Sequence, residues 1–128
     1  MPGIIPHLIS GSVMFLIGRY SFKSYFDAKN KYNKKKDTLI LSAVCISFSI
    51  LPDFSLGLYY LFGILSFEIL LYYHDLVHLM ITPIAIAALI ILQYLCNLER
   101  KPIWIMGFLC IIVHILMDLF IRDTGVLF

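Results

Sequence analysis

The segment KSYFDAKNKYNKKKD, residues 23–37, decides how the rest of the chain is read. It carries Lys23, Lys29, Lys31, Lys34, Lys35 and Lys36, and Arg19 stands just before it. On both sides the chain turns apolar. The run 4–22 lies upstream, and the runs 38–52, 56–73, 76–98 and 103–121 lie downstream. A second polar connector, 97–102, holds Arg100 and Lys101, so with Arg19 at the edge of the first the two connectors account for nine of the ten basic residues, with Arg122 the exception. Short cytoplasmic loops of membrane proteins concentrate Lys and Arg, which places both connectors on the cytoplasmic side.

Composition agrees with that frame. The 128 residues are 61% hydrophobic and 14% charged, with a mean hydropathy of +0.92. Soluble domains run at about 45–50% apolar and about 25% charged, and a chain this small has much surface to cover with polar groups. A disordered tail, a nucleic-acid arm and an ordinary cytosolic enzyme are excluded, and the bilayer is the expected partner. The N-terminus lacks the basic region and the small-residue cleavage site of a signal peptide, so the first run is read as retained. Cys45, Cys96 and Cys110 lie inside apolar runs without metal or disulfide spacing, and read as small buried hydrophobes.

A span needs about 20 apolar residues. The runs 4–22, 76–98 and 103–121 are long enough. The run 38–52 is short and leans on the lysines before it, whose stems reach back to the interface. The run 56–73 contains Glu68. If it crossed, the two basic connectors would fall on opposite sides, so it is read as an interfacial or re-entrant helix, with Tyr59, Tyr60, Tyr72 and Tyr73 suited to that depth. The expected fold is one all-α integral membrane domain. It has four transmembrane helices, one interfacial helix, a cytoplasmic basic loop at 23–37 and both termini on the non-cytoplasmic side. The basic loop itself reads as a solvated loop or short helix, with anionic lipid headgroups as its alternative partner.

On this topology the polar residues converge. His7, Asp53, His74, Asp75, His78, His114 and Asp118 all fall near the non-cytoplasmic ends of the helices, and they include every histidine in the chain. His74 and His78 are four residues apart, as are His114 and Asp118, so each pair shares a helix face. Imidazole with carboxylate suits zinc or another divalent first-row ion, as one ion or two. Coordination also relieves the cost of keeping carboxylates out of water. His7, Asp53, His74, His78, His114 and Asp118 are the candidate metal ligands. Asp75 and Asp118 are the candidate general bases.

The order of these motifs carries a resemblance. PHLISG around His7, ILPDF around Asp53, YYHDLVHLM around His74 and His78, and VHILMDLF around His114 and Asp118 resemble the YdjM-like membrane-bound metal-dependent hydrolases, and the tail TGVLF resembles the family's ending. The resemblance implies a divalent-metal hydrolase in a prokaryotic cell membrane, distantly similar to all-helical zinc phospholipase C and P1-type nucleases. It also implies metal-site roles for the same six residues. The chain departs from the family pattern in two places. Ser55 stands where a second Asp often follows Pro-Asp, with no His after it. The His pair is one residue tighter, with Leu79 in place of a Ser.

The expected activity is therefore hydrolysis of a phosphoester or phospholipid by metal-activated water, on the non-cytoplasmic side. The rival is a non-catalytic membrane subunit or scaffold with a structural metal or a His–Asp network. Haem held by two histidines is a third reading. A zinc protease of the HExxH type is excluded, because Asp75 and not Glu follows His74. Four histidines are too few for the His boxes of a desaturase-like di-iron site.

Overall fold

The computed structural model describes residues 4–53, 67–95 and 100–120; within 67–95 several side chains, including those of His74, Asp75 and His78, lie outside the described residues. The described residues are all helical, without strands. They form α1 (Ile4–Ser21), α2 (Lys23–Asp27), α3 (Lys31–Ile50), a 3-10 turn (Leu51–Asp53), α4 (Phe67–Leu95) and α5 (Lys101–Phe120). Helices α1, α3 and α5 pack against one another. Helix α4 joins them through α5 and through the 3-10 turn.

The basic loop is more ordered than a solvated connector. Residues 23–27 form α2, and α3 begins at Lys31, well before the apolar run at 38. The Asn30 side chain starts that helix by accepting from the Asn33 backbone N–H at 2.9 Å, which satisfies one of the orphan donors of the first turn. Helix α3 thereby reaches 20 residues, roughly 30 Å at 1.5 Å per residue. The helical stretch gains its length from the lysine-rich turns before residue 38.

Helix α4 corrects the expected break at His74–Asp75. One 29-residue helix runs through it, so residues 67–73 are the first turns of the same helix as 76–95 and not part of a separate interfacial element. A polar dipeptide inside a helix leaves every backbone hydrogen bond in place, and so marks no boundary by itself. The remainder of the expected interfacial segment, 56–66, lies outside the described residues. Glu68 is exposed in the first turn of α4.

Close approach of α1 to α3 depends on Gly11. A Cβ there would stand 2.8 Å from Ser49 Oγ and 3.0 Å from the Cys45 carbonyl, so no larger residue fits without separating the helices. The core between α1, α3 and α5 contains Phe26, Leu41, Cys45, Ile103, Met106 and Cys110, and both cysteines are buried and free.

The end of the bundle near the basic loop is closed around Asp37. This carboxylate is 2% exposed. It receives the Tyr25 hydroxyl at 2.8 Å and Arg100 Nε at 3.1 Å, and pairs with Lys29 Nζ at 2.7 Å. Burial alone would push the Asp37 carboxyl up, but these three donors outweigh it and hold the group below its ordinary value. The Tyr25 hydroxyl is pushed up, first by burial and then by the bond to Asp37. Arg19 packs over the Phe26 ring at 4.6 Å, and Lys34 pairs with Asp27.

Outside the core the helices expose many large apolar side chains. Among the described residues, the exposed large hydrophobics include Ile9, Leu16 and Ile17 on α1, Leu39 on α3, Ile84, Ile90 and Ile91 on α4, and Leu116 on α5. One described helical stretch, Lys101–Asp118, is long and apolar enough to cross a membrane; Thr82–Leu95 is apolar but shorter. The expected spans at 4–22 and 38–52 are helical over Ile4–Ser21 and Lys31–Ile50.

Candidate metal centre

Far along the bundle from Asp37, four side chains from three elements meet. His7 lies in the first turns of α1. Asp53 ends the 3-10 turn that follows α3. His114 and Asp118 are one turn apart on α5, on the same face. The turn places Asp53 because Pro52 cannot donate a backbone hydrogen bond, so the chain tightens and ends regular helix at the mouth of the cluster.

The distances define the site. His7 Nε2 is 3.2 Å from Asp53 Oδ2 and 3.4 Å from Asp118 Oδ1. His114 Nε2 is 3.0 Å from Asp118 Oδ2 and 3.8 Å from Asp53 Oδ1. One ligand atom from each of the four residues lies within 4.8 Å of all the others. A tetrahedral site with bonds near 2.1 Å sets its ligand atoms about 3.4 Å apart, which is the middle of the observed distances.

Orientation points the same way. His114 Nδ1 stands 2.7 Å from the Ser49 carbonyl oxygen. A carbonyl only accepts, so Nδ1 carries the proton and donates it. Nε2 of the same ring is then turned toward the carboxylates of Asp118 and Asp53. A backbone acceptor behind a histidine, fixing its tautomer, is the usual support of a metal-binding imidazole. Ser49 can play this part because it lies in the last turn of α3, where carbonyls lack an intrahelical donor. The His7 ring stacks on that of His114, with centroids 4.0 Å apart. His7 is fully buried, and neither of its ring nitrogens makes a hydrogen bond within the described residues.

The donor chemistry agrees: two carboxylates and two imidazoles meet in a site from which water is largely excluded, a set that suits a divalent cation. Asp118 is 14% exposed and is the most accessible of the four.

The structure therefore brings together His7, Asp53, His114 and Asp118 of the six expected ligands. The side chains of His74 and His78, and of the expected base Asp75, lie outside the described residues, as does Ser55. The backbone of α4, which carries the first three, packs against the turn that carries Asp53. The stacked His7 and His114 rings leave no space for a planar macrocycle between them, so this pair does not suit bis-histidine haem. Sequence reasoning missed the Ser49 carbonyl, since a backbone acceptor has no residue-type signal, and it missed the Gly11 contact that sets α1 against α3.

No known protein family, curated protein or solved structure matches the chain. The resemblance to the YdjM-like hydrolases rests on the four sequence motifs.

Proposed function

We propose that this chain is a membrane-embedded hydrolase that binds a divalent ion, with zinc the best fit, at His7, Asp53, His114 and Asp118. The carrying observation is the buried set of four donors at mutual ligand spacing, with His114 locked through Nδ1 to Ser49. Two imidazoles and two carboxylates are donors that zinc accepts readily. When bound, such an ion supplies Lewis acidity toward water and toward a phosphoryl oxygen.

The chain's own residues supply the rest. His7 and His114 bind through Nε2, and the Ser49 carbonyl keeps the second ring in its binding tautomer. Asp53 holds the ion from the 3-10 turn. Asp118, at the wetter edge, is placed to accept a proton at a carboxylate oxygen, with Asp75 the other candidate for that task. A phosphoester is the substrate class that fits an all-helical two-histidine, two-carboxylate site by analogy, and a phospholipid is the form the bilayer would deliver laterally.

The membrane reading draws on the many large hydrophobic side chains exposed on α1, α4 and α5. It takes α1, α3, α4 and α5 as the four crossing helices. Asp37 and Asp53 stand 16 residues apart along α3 and its turn, roughly 24 Å, most of a hydrocarbon core of about 30 Å. With Arg19, Lys29 and Arg100 cytoplasmic, the cluster faces the other side.

A second reading has support in the same geometry. Four protein donors around one ion would fill a tetrahedral set, which is the mark of a structural ion in a scaffold subunit. The test is elemental analysis of detergent-purified wild type and His114→Ala, followed by hydrolysis of a chromogenic phosphodiester. About one ion per chain in the wild type, lost in the variant, together with metal-dependent turnover supports the hydrolase. A bound ion without turnover selects the scaffold, and equal metal-free preparations refute both.

A further inference from the structure

We propose that the exposed face formed by Lys31, Lys35, Lys36 and Tyr32 on α3 is a docking surface for anionic lipid headgroups. The inference rests on the membrane reading above but concerns the opposite end of the molecule from the metal centre.

Two observations carry it. The first is which charges are already matched. Asp37 engages Lys29 and Arg100, and Asp27 engages Lys34 and Arg19. Among the described residues these two acids are the ones the basic end offers, and neither pairs with Lys31, Lys35 or Lys36. All three lysines are exposed, so of the described cations without an acid partner among the described residues three are gathered on one stretch of helix, with Lys23 and Lys101 outside it.

The second is the course of that face. Lys31, Lys35, Leu39, Ala43 and Ser47 recur every four residues and are all exposed, so they form one continuous stripe along α3. Lys36 stands four residues after Tyr32 on the neighbouring stripe, and both are exposed. The stripe changes from ammonium groups to the apolar Leu39 and Ala43 within one turn, and carries no further charge. A helix with that profile crosses from headgroup depth into hydrocarbon at the change. The ammonium groups then lie at the level of lipid phosphates, with the Tyr32 ring beside them at interface depth. A phosphate-bearing lipid matches both parts of the stripe; a soluble phosphate matches the lysines alone.

Clustered lysines gain about fivefold in affinity per residue against an anionic leaflet, and salt weakens the effect. The experiment reconstitutes full-length wild type and Lys31→Gln/Lys35→Gln/Lys36→Gln into vesicles of phosphatidylcholine with 30% phosphatidylglycerol. It reads which lipid contacts the protein by quenching of Tyr and Trp emission with brominated lipids. The wild type is expected to prefer phosphatidylglycerol by about fivefold or more, with the preference reduced in high salt and falling toward one in the variant. A preference equal in both proteins overturns the proposal. Displacement of the lipid by inorganic phosphate at matched concentration also overturns it, by assigning the lysines to a free anion. Extraction of both proteins by alkaline carbonate refutes the spanning reading separately. The lysine-dependent headgroup preference is then read by co-flotation of the same two proteins with the same vesicles.

Discussion

The two ends of the bundle solve the same problem in opposite ways. Each removes carboxylates from water. At the Asp37 end, Tyr25, Lys29 and Arg100 come from three parts of the chain to meet one acid, and its charge is matched by donors the protein itself supplies. At the other end two acids meet two histidines, one of which has already committed its proton to the Ser49 carbonyl. The first arrangement is a closed staple. The second gathers four donors at ligand distance of one another, an arrangement that could hold a cation. A polar cluster inside an apolar bundle is thus informative through its donor set, not its mere presence.

The comparison breaks most clearly on metal removal. Chelation should lower stability by about 4 kcal/mol if the ion is held at a thousandfold its dissociation constant, with recovery on adding zinc. The thermal midpoint of detergent-solubilised protein measures it, and no change on chelation would make both ends protein-closed. Next, Asp37→Ala should cost about 2 kcal/mol, a value reduced from that of a fully buried pair because Lys29 and Arg100 keep some water. Metal content should stay unchanged in that variant, and a loss of metal would show the two ends to be coupled.

Two glycines of α1 sharpen the contrast further. Gly11→Ala drives a Cβ against Ser49 and the Cys45 backbone, and should weaken metal binding about tenfold by moving His7. The equivalent change at Gly18 meets only the Met106 side chain, which can swing away, so metal affinity should hold. Competition titration with a colorimetric chelator reads both.

The pH dependence of the staple follows from its shifts. Asp37 is held below its ordinary value when folded, so its contribution is present above the unfolded value near 3.9 and fades as pH falls through the lower folded value. Lys29 is affected by burial, which pulls it down, but the bonds to Asp37 and Tyr25 win and raise it; its contribution is complete below its unfolded value near 10.4 and fades above the folded one. Unfolding followed at pH 3–4 should differ between wild type and Asp37→Asn by less than at pH 7. The smallest effect is expected of Ser49→Ala, which keeps the carbonyl that orients His114. Its metal affinity should match the wild type, and a large loss would shift the role from backbone to hydroxyl.

Much of the candidate site was legible beforehand. His7, Asp53, His114 and Asp118 are rare polar residues in apolar helices, and the positions of Lys and Arg put them at a common level. Asp37 was not legible. In NKKKDT it looks like one more solvated charge, and nothing local shows that Arg100, on α5's approach, returns to it. The boundary at His74–Asp75 misled for a related reason. Polarity resembles a break when read along the chain, whereas a helix accommodates it on one face.

The sequence alone determined the helical class, the common end of the bundle shared by His7, Asp53, His114 and Asp118, and the pairing of His114 with Asp118. These depend on helical rise and period, which are local. Only the tertiary structure decided which distant donors meet, that the Ser49 carbonyl backs the His114 ring, and that Asp37 is matched by Tyr25, Lys29 and Arg100 while His7, Asp53, His114 and Asp118 gather at the other end. Those outcomes depend on distances of a few ångströms between elements far apart in sequence, and packing sets such distances, through contacts such as that of Gly11 with Ser49.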